Sequence, residues 1–287
     1  MIKIVKELRL TEKQKQQMNE LEKVCQIEDN YRNIMVSSEL NFTQELHAFY
    51  LAYDEEQLIG VLNLFAPQNN EVELMGYVNP SWQLKGVFKQ LICEMIKELK
   101  NFSTVEKILF VYDEKSDLAK KVIEKWEMEH DFSEYTMVLH KKVQEFIVNN
   151  LLIKPLAQED VESTLKLSVE AFGGDLENAK HYIEISMNAP NKVIYGAFLH
   201  NIQIGMAVLT EEKHTTFLSG FVISESYRGK GYGKEMLLQL LNKIDSSCTL
   251  EVNSDNCTAF HLYKKLGFIV LSQTNYAKTN IQQIVNI

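Results

Sequence analysis

Tyr227-Arg228-Gly229-Lys230-Gly231-Tyr232-Gly233-Lys234 joins an apolar run ending at Ile223 to a helical pattern carried by Leu237, Leu240, Leu241 and Ile244. Glycines at alternate positions let successive backbone N–H groups converge and let a ligand approach the main chain. At a helix N-terminus, where unpaired amides and the helix dipole favour negative charge, such a turn suits a phosphate or pyrophosphate. The triplet alone leaves a plain strand-to-helix turn open as the alternative. Its G-x-G-x-G spacing departs from the G-x-G-x-x-G of dinucleotide folds, and the GK[ST] of a Walker loop is missing.

Upstream of the turn, Val193–Leu199 and Ile202–Leu209 flank His200-Asn201, the pattern of a hairpin, and Thr216–Ile223 reads as a further strand. Val161, Leu165 and Val169 precede them at helical spacing. The same order occurs earlier in the chain: Met18, Leu21, Val24 and Cys25, then Val72–Val78, then Phe88, Leu91, Ile92, Met95 and Leu99. At an offset of 145, Ile59-Gly60 falls on Ile204-Gly205, Trp82 on Tyr227, Lys85 on Lys230, Gly86 on Gly231 and Lys89 on Lys234. The chain therefore reads as two tandem copies of an α+β unit, each a mixed, mostly antiparallel sheet flanked by helices. The polar stretch near residue 146 is the expected boundary, giving domains 1–145 and 146–287.

Composition narrows the partners. The 287 residues are 45% hydrophobic and 24% charged, a globular balance, with a net charge of −9. That sign argues against binding by neutralising nucleic-acid phosphates. Cys25, Cys93, Cys248 and Cys257 form no CxxC pair, so neither a disulfide framework nor a zinc site is expected, and no metal. MIKIVKELRLTEK lacks the apolar core of a signal peptide, and no stretch reaches the roughly 20 apolar residues of a membrane span. The expectation is a soluble cytoplasmic protein without membrane or nucleic-acid partners.

Val222–Gly233 resembles the acyl-CoA motif [QR]-x-x-G-x-[GA] of the GCN5-related N-acetyltransferases, with Arg228, Gly231 and Gly233 at its fixed positions. Asn256, Ala259, Tyr263, Gly267 and Phe268 are similar to the family's second signature, N-x-x-A-x-x-x-Y-x-x-x-G-F. The resemblance implies direct attack of an amine on acetyl-CoA as cosubstrate. It implies that Gly229, Lys230, Gly231, Tyr232, Gly233 and Lys234 hold the pyrophosphate and that Phe221, Val222 and Ile223 pair with the pantetheine arm. It also implies that Asn256 hydrogen-bonds that arm. Tyr263 matches the family's general acid; a core aromatic beside Phe260 and Leu266 is the other reading, and one phenol serves both. Glu251 matches a general base used by some members, against a solvent-facing or ion-paired strand residue. His261 reads as exposed and Cys257 as a partly buried structural thiol.

In the first copy Arg228 becomes Gln83, Gly229 becomes Leu84 and Gly233 becomes Phe88. Anchoring Asp131-Phe132 on Gly267-Phe268 puts Lys120 at Asn256 and Glu127 at Tyr263, so the first copy reads as degenerate. The expected activity is acetylation of a primary amine, on a small molecule or a peptide, in the second copy. A non-catalytic acyl-CoA-binding sensor on the same scaffold is the alternative.

Overall fold

The computed structural model describes residues 2–29, 41–140, 150–173 and 176–285; the expected boundary near residue 146 lies outside them. The first copy runs β1 (Ile2–Glu7), α1 (Glu12–Asp29), β2 (Phe49–Asp54), β3 (Gln57–Phe65), β4 (Glu71–Val78), α2 (Val87–Leu99), β5 (Lys107–Asp113), α3 (Asp117–Lys125) and β6 (Glu129–Leu139). The second runs β7 (Leu152–Pro155), α4 (Val161–Phe172), α5 (Leu176–Asn188), β8 (Lys192–Leu199), β9 (Ile202–Glu211) and β10 (Thr215–Ile223). It continues with α6 (Tyr232–Leu241), β11 (Ser247–Asn253), α7 (Cys257–Lys265), β12 (Ile269–Thr279) and α8 (Ile281–Val285).

The compact units are not the sequence copies. One unit comprises Met1–Ser133 with Ser272–Ile287, and the other Glu134–Leu271. In the first unit the strands lie in the order β1-β2-β3-β4-β5-β12, antiparallel except for β4 with β5. In the second the order is β7-β8-β9-β10-β11-β6, antiparallel except for β10 with β11. The last strand of each copy thus finishes the sheet built from the other: Thr274–Thr279 pairs with β5, and Glu134–Leu139 with β11. Each sheet is mixed and carries helices on both faces.

The hairpin of the second unit turns at His200 and Asn201, with φ of 48° and 68°, the left-handed pair that a two-residue turn of right-handed twist requires. The helical period of the second copy becomes α6, whose Met236, Leu237, Leu240 and Leu241 are buried on β9, β10 and β11. Gly205 lies under α6, where a Cβ would meet Met236 at 3.3 Å besides pressing on Ile223 and Val222 of the neighbouring strand at 2.7 Å. Gly60 lies likewise under α2, where a Cβ would meet Val87 at 3.0 Å. The glycines shared by the copies therefore mark where the helix rests on the sheet. On the opposite face Leu167 and Ile183, from α4 and α5, pack on Ile194, Met206, Val208 and Val222.

A buried carboxylate ties α6 to the start of β7. Glu235 accepts from the Asn150 and Leu151 amides at 2.6 and 2.7 Å and from the Asn150 side chain at 3.2 Å. Glu235→Ala strands the buried Leu151 amide and frees the partly buried Asn150 amide, so denaturant unfolding is expected to show a loss of about 1–3 kcal/mol. A change below about 0.5 kcal/mol, the size of an ordinary surface substitution, would contradict that role.

Candidate active site

β10 and β11 run parallel only from Thr215↔Ser247 to Leu218↔Leu250. Past that point β10 bulges between Ser219 and Val222, with Gly220 at φ 56°, and continues along β9 alone. A bulge bends a strand and increases its twist. Among the described residues the edge of β10 that turned towards β11 has no strand partner over Ser219–Ile223. Phe221, Val222 and Ile223 occupy this edge.

The glycine turn closes the end of the opening. After a 3-10 turn at Glu225–Tyr227, Arg228 is extended and Gly229 and Gly231 adopt φ of 74° and 86°. Gly231 is the N-cap of α6 with no side chain bonded to the helix amides. A Cβ on Gly229 or Gly231 would have no atom within 4 Å, so the loop faces open space. Gly233 is different: its φ is not positive and a Cβ would meet Ile223 and Leu262 at 3.8 and 3.9 Å, ordinary contacts. Neither backbone conformation nor packing calls for glycine at 233. Arg228 donates through Nε to the Ile223 carbonyl at 2.9 Å, so its side chain sets the turn against the strand end. Lys230 donates to the Ser226 carbonyl at 3.0 Å and lies over the Tyr227 ring. Tyr232 packs at the edge of the core beside Tyr227, and Lys234 is half-buried on the first turn of α6.

Tyr263 stands behind the opening on α7. It is buried, with its ring 6.3 Å from Phe221 and 5.7 Å from Phe268, and its hydroxyl makes no hydrogen bond among the described residues. Burial, reinforced by the nearby Cys248 thiol, pushes its pKa up to about 12. The phenol therefore stays protonated at neutral pH. Asn256 caps α7, its Oδ1 accepting from the Ala259 amide at 3.1 Å, and its amide nitrogen is the side chain's donor. Glu251 is exposed and lies on the face of β11 opposite Cys248, Leu250 and Val252, which pack with Tyr263. Phe221, the glycine turn and Tyr263 thus gather at one opening, whereas Glu251 lies on the face of β11 opposite the one on which α7 and Tyr263 pack.

Three further residues differ from or complete the sequence reading. Cys257 is exposed, not partly buried, because it occupies the first turn of α7 outside the face formed by Ala259, Tyr263 and Leu266. His261 is exposed and bonds the Cys257 carbonyl. Glu235 was not singled out; the signal available was a carboxylate inside an otherwise apolar helical stretch. Among the described residues no group of three or more His, Cys, Asp and Glu could hold a metal ion, and no helix is long and apolar enough to cross a membrane.

The first unit repeats this frame with altered contents. β4 and β5 pair only from Glu71↔Lys107 to Leu74↔Phe110 and then part. Gln83 donates to the Val78 carbonyl at 3.3 Å, as Arg228 does to Ile223. The second signature lines up differently from the sequence expectation. Ser116 caps α3 through the Ala119 amide, the place of Asn256 and Ala259, and Glu127 at φ 49° takes the place of Gly267. Lys120 and Glu127 are therefore not the counterparts of Asn256 and Tyr263; Ser116 and Ile123 are. The left-handed residue that ends each helix fixes this alignment, and the Asp131-Phe132 anchor is displaced by four residues.

A profile described as the acetyltransferase (GNAT) family matches residues 10–126 and 161–268. The chain belongs to this family. Among solved structures, a GCN5-related N-acetyltransferase from Sphaerobacter thermophilus aligns over 98% of this chain and 96% of its own, with a TM-score of 0.77 at 13% identity. A tandem GNAT protein from the clavulanic acid biosynthesis pathway aligns over 98% and 99%, with a TM-score of 0.71 at 10% identity. At such identities the likeness is one of fold. An uncharacterized protein of Mycobacterium leprae is 28% identical over 123 residues, 41% of this chain and 34% of that protein. The matched segment thus spans about a third of that curated relative.

Proposed function

We propose that this GNAT chain is an acyltransferase that moves an acetyl group from acetyl-CoA to a primary amine, with its active site in the second copy, 146–287, completed by Glu134–Leu139. The observation that carries this reading is the parting of β10 from β11 beside an open, glycine-lined helix N-terminus, with a buried phenol behind it. The backbone amides from Gly229 to Lys234 suit the pyrophosphate of the cosubstrate. The free edge at Phe221–Ile223 suits the amides of the pantetheine arm, and the Asn256 amide nitrogen adds a donor. A backbone N–H at the strand end would also stabilise the tetrahedral oxyanion.

The amine nitrogen attacks the thioester carbonyl carbon, the C–S bond breaks, and the leaving thiolate takes the proton of the Tyr263 hydroxyl. The amine proton passes to Glu251, directly or through water, and solvent restores both groups. Placing acid and base on opposite faces of the sheet separates the leaving group from the nucleophile. The acceptor is a small-molecule or peptide amine, for which the net charge of −9 favours a cation. The free cysteines suit a reducing, cytoplasmic compartment.

The test is release of free CoA thiol from acetyl-CoA across a panel of polyamines, amino sugars and peptide amines. Activity on any of them supports the reading; binding of acetyl-CoA without turnover on all of them points to the non-catalytic sensor. For an active acceptor, kcat/KM is expected to rise with pH towards the amine pKa of about 10, where the free base forms. Because Tyr263 stays protonated to about 12, no alkaline fall is expected below that pH. A fall setting in between about pH 7 and 9, while the fold persists, would contradict the assignment of the acid to Tyr263.

A further inference from the structure

A cavity of about 470 Å³ opens in the first unit where β4 and β5 part. Its volume lies within the roughly 300–1,000 Å³ of small-molecule sites. Its walls follow Met75–Val78 and Val111–Asp113, the strand segments beyond the last paired residues Leu74 and Phe110. The position that Gly233 holds in the second unit is Phe88 here, stacked on Trp126 at 5.8 Å and edge-on to Phe110 at 6.5 Å. A ring therefore stands where a pyrophosphate would need bare backbone, and the cavity is apolar instead.

Features that suit an anion nevertheless persist among its lining residues. Leu84 and Gly86 keep the left-handed φ of the glycine turn, 59° and 81°, and Gly86 caps α2 with no side chain bonded to its amides. Leucine pays about 1–2 kcal/mol for that conformation, and Leu84 is fully exposed, with no burial to offset it. Lys89, Lys121 and Lys125 also line the cavity, against one carboxylate, Asp113, which accepts from the Lys115 amide. In a chain of net charge −9 this is a local excess of positive charge. Four residues of β4 run about 13 Å, which suits an extended chain.

We propose that this cleft binds a fatty carboxylate, with the apolar chain between Phe88, Phe110 and Trp126 and the single anionic head at the lysines and the α2 amides, and that it is not a second acyl-CoA site. The chain contains only two tryptophans, Trp82 and Trp126, and both line the cavity. Their emission therefore reports on this cleft and not on the second unit, so the result is independent of the acetyltransferase reading.

The experiment titrates the full-length protein with decanoate, below its micelle concentration, and records tryptophan emission. A saturable shift is expected, lost in Ala119→Phe, which fills the cavity from α3. The exposed pair Lys121→Glu and Lys125→Glu is expected to weaken decanoate by about tenfold and decanol by less than about twofold. No saturable shift in the wild-type protein would overturn the proposal. So would equal weakening of decanoate and decanol, or a saturable shift with acetyl-CoA that competes with decanoate. A decanoate shift that survives in folded Ala119→Phe would equally place the ligand elsewhere.

Discussion

Tyr263→Phe is expected to lower turnover by about 10²- to 10⁴-fold and to leave acetyl-CoA affinity within about twofold. The variant keeps the ring and its contacts with Phe221 and Phe268, and so keeps the volume of the core. It removes a hydroxyl that makes no hydrogen bond among the described residues, so the fold loses no internal partner. What disappears is the hydroxyl proposed to protonate the leaving thiolate beside the parted strands. Burial holds that phenol protonated to about pH 12, so the proton is in place at neutral pH and the group does not act as the base for the amine. Steady-state rates together with calorimetric affinity check the split. Unchanged turnover would remove Tyr263 from the chemistry and leave it a core aromatic.

Gly233→Phe is expected to weaken acetyl-CoA binding at least about 100-fold, a loss of roughly 2.7 kcal/mol. The substitution installs in the second unit the ring that the first unit carries as Phe88. Gly233→Ala separates ligand from fold. A Cβ there makes only ordinary contacts, at 3.8 and 3.9 Å, and alanine favours a helix over glycine by about 0.5–1 kcal/mol. The alanine variant is therefore expected to be at least as stable as the parent and, because the motif accepts alanine at this position, to bind acetyl-CoA about as tightly. Equal affinity in folded Gly233→Phe would contradict the assignment of the turn.

The outline of the copies was legible because its signals are local. His200-Asn201 announces its hairpin, the spacing of Leu237, Leu240, Leu241 and Ile244 announces α6, and the match of Ile59-Gly60 with Ile204-Gly205 announces the repeat. The exchange of final strands was not, since β6 and β12 are long strands of similar pattern and nothing local names the edge each joins. Equally hidden was the alignment of Ser116 and Ile123 with Asn256 and Tyr263, which depends on a helix cap and a left-handed end. The turn and the second signature singled out Phe221, the glycine turn, Glu251 and Tyr263, but their spacing could not show that Glu251 lies on the face of β11 away from Tyr263. The apolar cavity of the first unit was out of reach as well, because Phe88, Phe110 and Trp126 meet only once α2, β5 and α3 have packed.

The most direct test of the central claim is calorimetric titration of acetyl-CoA into the full-length protein and into Gly233→Phe. One site per chain in the first, and none in the folded variant, is the result predicted for a single acyl-CoA site in the second unit. Binding that survives in Gly233→Phe, or no binding to the parent chain at all, would contradict it.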